Sequence, residues 1–256
     1  MIFRQYSVFI LISVLFSCSA TVTTIKNDLT VHDIKGKVKS LSIQTYKAIE
    51  KFGQVQEGAL LDVKTMTYDR RGYIIDNDEL VRHNTYKYSF NEDNLPVERN
   101  EYNADSALVG KETYAYDKKG NKIMATLYGA DGTLQVKTVF KYDDNGNAIE
   151  ESNYDSKGAF VSKFIYKYDD TGKPVEYNGY REDGKLMNRF LYRYDETGNR
   201  AQENQILLNT DDSSFSATTI YYNYPQSDET GNWTKQIILN EDKSATTIKS
   251  REFTYY

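Results

Sequence analysis

The chain has 256 residues and a formal net charge of −5, and its 23 tyrosines and 11 phenylalanines make it unusually aromatic. The acidic balance argues against nucleic acid as the main partner, because a phosphate-binding face needs a positive field. One cysteine rules out an intramolecular disulfide, and with two histidines there is no His-Glu-x-x-His helix, Cys-x-x-Cys pair, Gly-x-Ser-x-Gly elbow or phosphate-binding loop, so neither a metal nor a cofactor is expected.

At the N-terminus Arg4 supplies a positive charge, followed by an apolar run from Val8 to Phe16. Nine residues are too few to cross a bilayer, which takes about 20. Leu15-Phe16-Ser17-Cys18 resembles the processing box of bacterial lipoproteins. That resemblance implies that residues 1–18 are a signal ending at Cys18, the lipid-attachment residue of an exported protein anchored to a bacterial membrane, the outer membrane being the expected one. Residues 19–35 are polar and Thr-rich and read as a flexible tether that includes His32; residues 36–256 read as a single domain.

The domain begins with Lys37-Val38-Lys39-Ser40-Leu41-Ser42-Ile43-Gln44, whose alternation predicts a strand. Tyr68-Asp69-Arg-Arg-Gly72 is the first turn unit, and Tyr88-Ser89-Phe90 follows 20 residues on without a glycine. Four units then stand in register at 26 residues: Tyr116-Asp117…Gly120, Tyr142-Asp143…Gly146, Tyr168-Asp169…Gly172 and Tyr194-Asp195…Gly198. A second ladder is interleaved, with Tyr128 before Gly132, Tyr154 before Gly158, Tyr180 before Gly184 and Tyr102 before Ser106. Steps of 14 and 12 residues alternate, so each period holds two turns and two strands. Asp can accept from backbone N–H groups ahead of it and Gly tolerates positive φ, which suits a type I turn closed by a glycine bulge. The structural turn residues are therefore Gly72, Gly120, Gly132, Gly146, Gly158, Gly172, Gly184 and Gly198.

Between turns the chain alternates. Phe160, Ser162, Phe164, Tyr166 and Tyr168 share one face and Val161, Lys163, Ile165 and Lys167 the other, an aromatic side against a largely basic one. The basic side reads as a solvated, edge-protecting face. The aromatic side reads as sheet core, with Tyr142, Tyr166, Tyr168, Tyr192 and Tyr194 as a candidate ligand platform wherever the sheet leaves a groove. About fifteen strands at ~4.8 Å each are too wide to stay flat with an aromatic face in water. The expected fold is an all-β antiparallel meander of about seven hairpin repeats, curled into an open or flattened barrel or half-shell.

The Tyr-Asp-x-x-Gly units from Tyr68 to Gly231 resemble the YD repeats of the RHS family, large secreted polypeptides whose hairpins wind into a hollow shell around a cargo. This chain has too few repeats to enclose a protein and is more similar to small repeat-bearing lipoproteins. His83 lies beside Arg82 in a strand with no cysteine to pair with, and Asp143-Asp144-Asn145-Gly146-Asn147 reads as turn rather than calcium loop. The functional expectation is a membrane-anchored, non-enzymatic binding or structural module whose ligand is a glycan or envelope protein. The alternative is a glycan-active hydrolase with paired carboxylates in an aromatic groove.

Overall fold

The computed structural model describes residues 27–79, 82–208 and 214–256. Cys18 and the rest of the expected signal lie outside the described residues. One short helix, α1 (Asp28–Val31), precedes sixteen strands: β1 (Val38–Lys51), β2 (Gln54–Tyr68), β3 (Ile74–Glu79), β4 (Arg82–Phe90), β5 (Pro96–Tyr102), β6 (Leu108–Tyr116), β7 (Lys122–Gly129) and β8 (Leu134–Tyr142), then β9 (Ala148–Asp155), β10 (Phe160–Tyr168), β11 (Pro174–Arg181), β12 (Leu186–Tyr194), β13 (Arg200–Leu208), β14 (Phe215–Ser227), β15 (Trp233–Leu239) and β16 (Ala245–Tyr255). Each pairs antiparallel with its neighbours in sequence, and β1 pairs with β16 from Val38↔Tyr255 to Lys47↔Thr247. The sheet is therefore a closed barrel, and the open half-shell expected from the sequence is corrected. Closure gives both end strands a partner for backbone groups that would otherwise be left at an edge.

The two turn ladders form the two rims. At the first, Gly146 N–H donates to the Asp143 carbonyl at 3.1 Å while Asp143 N–H donates to the Asn147 carbonyl at 2.9 Å. The Asp143 carboxylate also accepts from Asn147 N at 2.8 Å. The eight turn glycines named above have φ between 77° and 88°, and the ladder register shifts by one residue beside the tyrosine, as between Lys167 and Tyr168. One unit escaped the sequence reading: Phe90-Asn91-Glu-Asp-Asn94 makes the same turn, with Asn94 at φ 59° in the glycine position and Phe90, rather than Tyr88, in the tyrosine position. Its backbone asks only for a residue that accepts the left-handed region, and asparagine does so at modest cost.

A hydrogen bond across the rim recurs from hairpin to hairpin. The hydroxyls of Tyr116, Tyr142, Tyr168 and Tyr194 donate to the carbonyls of Pro96, Lys122, Ala148 and Pro174, at 2.6–2.8 Å and always 20 residues back. Each tyrosine ends one strand and bonds to the first residue of the strand before it, so it ties its own turn to the preceding one. Tyr224 reaches Arg200 O in the same way, and Tyr256 reaches Tyr68 O across the β16–β1–β2 seam. Phe90 has no hydroxyl, and the Arg71 guanidinium lies 3.5 Å from its ring centroid instead.

Residues 27–35 depart from the expected tether. Asn27 caps α1 and donates to Arg71 O, Asp28 accepts from Ile74 N at 2.7 Å, and Lys35 bonds Asn232 and Gly231 across the rim. Leu29 and Ile34 are buried with Val38, Leu41, Met66 and Tyr68. Two apolar residues spaced to meet one cluster are enough to dock this otherwise polar segment.

α1 also shows which face of the wall is the inside. Asp28 feels the charges of Arg99 on β5 and Lys122 on β7, while His32 feels Arg251 on β16 and Lys64 on β2. Seven inter-strand steps separate β7 from β16, about 34 Å of wall at ~4.8 Å per step. A helix of four residues meets both only from within the mouth. The face carrying Leu41, Met66, Phe164 and Tyr166 therefore lines the lumen, and the face carrying Lys141, Lys167 and Arg189 is outside. A round sixteen-stranded barrel tilted about 40° would be on the order of 30 Å across, but the inward Leu41, Phe164, Tyr166 and Tyr177 are buried, so the inner face is largely closed to solvent.

Removing the hydroxyl in Tyr168→Phe is expected to cost about 1 kcal/mol, the usual worth of a hydrogen bond whose acceptor is left behind. Urea melts of the two proteins measure it, and coincident midpoints contradict the role given to the bond. A Cβ at Gly146 would find only Asn121 Oδ1, at 3.7 Å. Gly146→Ala should therefore show the bare conformational penalty, about 1–2 kcal/mol. Gly72→Ala should cost more, because its Cβ would press on the Asn27 side chain at 2.6 Å and disturb α1 as well; equal costs would mean that α1 does not depend on this contact.

Candidate functional site

The lumen wall is aromatic where the sequence places the rings. Phe164, 2% exposed, stacks on Tyr177 with centroids 5.3 Å apart, and Tyr177 meets Tyr166 and Phe190 in turn. Phe164 lies opposite Gly179, and a Cβ there would sit 2.9 Å from the ring, so a glycine within the strand makes room for it. These ring contacts run around the wall between neighbouring strands, as do those of Tyr224 with Trp233 and of Tyr73 with Tyr88 and Phe90.

Of the five candidate platform tyrosines, Tyr142, Tyr168 and Tyr194 spend their hydroxyls on the rim bonds described above. Tyr166 is buried and donates to Glu151 Oε2 at 3.2 Å, and Tyr192 carries the Arg200 guanidinium 4.1 Å from its ring centroid. The structure thus brings Tyr166 and Tyr192 to the lumen as side chains engaged with charged groups, whereas the other three are rim fasteners.

The sequence reading missed the charges inside. Arg99 pairs with Glu112 at 2.9 Å, and Tyr114 donates to the same carboxylate. Lys122 lies over the rings of Tyr114 and Phe140 and in the field of Glu112 and Glu151; burial lowers its pKa. Arg200 pairs with Glu203 at 2.7 Å, and Glu203 also accepts from Tyr222 and Gln205. Glu151 is 8% exposed and opposite Phe164. Burial pushes its carboxyl above the usual glutamate range, against the hydrogen bonds from Asn153 and Tyr166 and the charge of Lys122, which pull the other way. The bulge beside Tyr142 decides the side: Tyr142 pairs with Ala148, but Lys141 pairs with Glu150 and Phe140 with Glu151, so the register shift puts Glu151 rather than Glu150 on the aromatic side. The doublet Glu150-Glu151 hides this, since one of any two adjacent residues must face out.

Other candidates settle elsewhere. His83 is on the outer wall, 3.0 Å from Asp76. His32, at the C-terminal end of α1, is held below the usual histidine value by enclosure in the mouth and by Arg251 and Lys64. The Asp143 carboxylate is bound to its own turn, and among the described residues no three His, Cys, Asp or Glu side chains form a metal-binding group. At the first rim a crevice of about 460 Å³ opens between the turns at Asp195–Asn199 and Ser227–Gly231, with Tyr222 and Tyr224 on its wall.

No protein-family model matches the sequence, and no curated protein matches it either. Solved structures do. A porin-like protein from Bacteroides uniformis aligns over 86% of this chain and 98% of its own, with 12% identity and a TM-score of 0.54. A porin-like protein from Bacteroides vulgatus aligns over the same shares with 13% identity and a TM-score of 0.49, and the Photorhabdus luminescens Tc holotoxin pore over 80% of this chain and 14% of its own, with 14% identity and a TM-score of 0.31. The first of these likenesses shows the fold, an all-β barrel.

Because the folded-state pKa of Glu151 lies above that of an unfolded glutamate, 4.5, the native state holds this proton more tightly. The group's contribution to stability is then fully present below the unfolded value and is lost as pH rises through the folded one. Glu151→Gln should be at least as stable as the wild type at neutral pH, with the two thermal midpoints converging as pH is lowered below about 4.5. A glutamine variant clearly less stable at neutral pH contradicts this reading of the site.

Proposed function

We propose that this chain is a membrane-anchored, non-enzymatic repeat lipoprotein of the bacterial envelope, a barrel whose lumen binds a ligand. The observation that carries the reading is the lining: aromatic rings interleaved with charged groups, the composition of a surface that recognises polar organic molecules by stacking and hydrogen bonds. Glu112 and Glu203 are each held by their own arginine and Glu151 by hydroxyl and amide donors, which favours binding over hydrolysis. The hydrolase alternative keeps one point in its favour, the raised carboxyl of Glu151 among tyrosines, a setting suited to a general acid.

The outer face supports a barrel bathed in water. Arg189 pairs with Glu176 midway along β12, where an outer-membrane barrel carries its apolar band, and the Lys141–Glu150 and Lys167–Glu176 pairs stand nearer the first rim. Attachment then falls to Cys18. Nine residues lead from Cys18 to Asn27 at the first rim, a reach of at most about 30 Å. That rim faces the bilayer and the far rim faces away.

Feeding cells a clickable fatty acid should label the wild type and leave Cys18→Ala unlabelled; equal labelling contradicts the anchor. For the binding half, a glycan array and an envelope pull-down with the purified domain should give a ligand whose affinity falls in Tyr166→Phe or Glu151→Gln. A ligand indifferent to both lumen substitutions contradicts a lumenal site, and turnover of a bound glycan selects the hydrolase.

A further inference from the structure

Three arginines lie against rings on the lumen face of the wall, and two of them have an acid: Arg99 has Glu112 and Arg200 has Glu203. Arg251 has none. Among the described residues it forms no ion pair and no hydrogen bond, and its Nε is buried without a partner. Its close contacts are the Trp233 ring, 3.5 Å from the centroid, and Phe253 at 5.9 Å. Strand register explains the vacancy, because the residue opposite Arg251 on β1 is Ile43.

More positive charge gathers here. Lys249, two residues earlier on the same face, also forms no ion pair among the described residues and has its pKa lowered by burial and by Arg251. Lys64, opposite Ile43 on β2, is already paired with Glu79 at 2.6 Å, and His32 of α1, pushed down to about 4 by burial and by Arg251 and Lys64, is neutral near pH 7 and adds no charge. Asp33 acts on Arg251 and Asp62 on Lys249 only at a distance. Burial pushes the Arg251 guanidinium down to about 10, against Tyr68, Tyr224 and Asp33, which pull the other way. A guanidinium over a ring face makes no hydrogen bond to the ring, and its N–H donors match the two oxygens of a carboxylate or phosphate.

We propose that Arg251, lying over the Trp233 ring with Lys249 two residues away on the same face, is a lumenal site for an oxyanion, the carboxylate or phosphate group of a small ligand. This rests on the reading of the lumen as a binding space and is independent of the lipid anchor. The incoming anion occupies the place that Glu112 and Glu203 fill for the other two arginines.

Trp233 is the only tryptophan, so indole emission reports on the surroundings of this ring, Arg251 among them. Titrating the purified chain with inorganic phosphate and with acetate, against sodium chloride at matched ionic strength and against glucose, should give a saturable change in emission and a raised melting temperature with at least one oxyanion. The oxyanion that binds tighter identifies the source. Arg251→Gln should weaken binding at least about tenfold, and Arg251→Lys, which keeps the charge if the first variant folds poorly, should weaken it several-fold by losing the fork. The site is overturned if chloride gives the same response, if neither oxyanion saturates, or if both variants bind as the wild type does. Saturation by glucose without either oxyanion overturns the anion site and leaves the lumen as a binding space; silence from all probes overturns the anion site and gives the lumen reading no ligand.

Discussion

The tyrosine hydroxyl that reaches back 20 residues to a carbonyl is the interaction on which this wall depends. A β-hairpin alone is at best marginally stable in water, and a meander gains order only as hairpins are tied together. Ladder hydrogen bonds join strand to strand, but they leave the rims, where every bulge interrupts the ladder. The tyrosine bond bridges that interruption: Tyr142 pairs with Ala148 on one side and holds Lys122 O on the other, fastening three strands at one point. Because Tyr256 makes the same kind of bond to Tyr68 O, the device that joins repeats also seals the ring.

The inner face is buried, yet it is not an apolar core, because Glu151, Asn153 and Glu203 are buried beside its rings. Its rings stack along the wall, and its charged groups survive there through local partners. Arg99 and Arg200 show the rule, Glu151 shows what happens when the partners are only hydroxyl and amide donors, and Arg251 shows a cation left with rings alone. The lumen is consequently half aromatic and half ionic, and α1 occupies its mouth at the rim where the chain enters.

Much of this was legible. Turn geometry, strand alternation and the inward direction of Phe164 and Tyr166 follow from period-two patterning and from the chemistry of Asp and Gly. Closure was not, because it is decided by β1 and β16, which lie outside the repeat and meet only through long-range pairing. The Phe90 turn was hidden by asparagine standing in for glycine. The docking of residues 27–35 hung on Leu29 and Ile34 alone, too few to make a period. The lumen charges were hidden for a different reason: Arg99, Lys122 and Arg251 follow the alternation of their strands, but a charged residue is assigned to solvent by default, and only the cross-strand register places it inside.

Closure is the claim that the rest of the account needs, and the seam offers a direct test. Ser40 on β1 and Thr254 on β16 are register partners on the outer face, with their hydroxyls 2.6 Å apart. That separation suits a disulfide, whose Cα atoms usually lie about 4.4–6.8 Å apart. In a Cys18→Ala background, the Ser40→Cys, Thr254→Cys double variant should oxidise readily to an intramolecular cross-link, seen as a monomer of altered mobility on non-reducing gels and confirmed by mass spectrometry of the joined peptides. Free thiols after oxidation, or dimers cross-linked between chains, would mean that β1 and β16 do not meet and that the barrel is open.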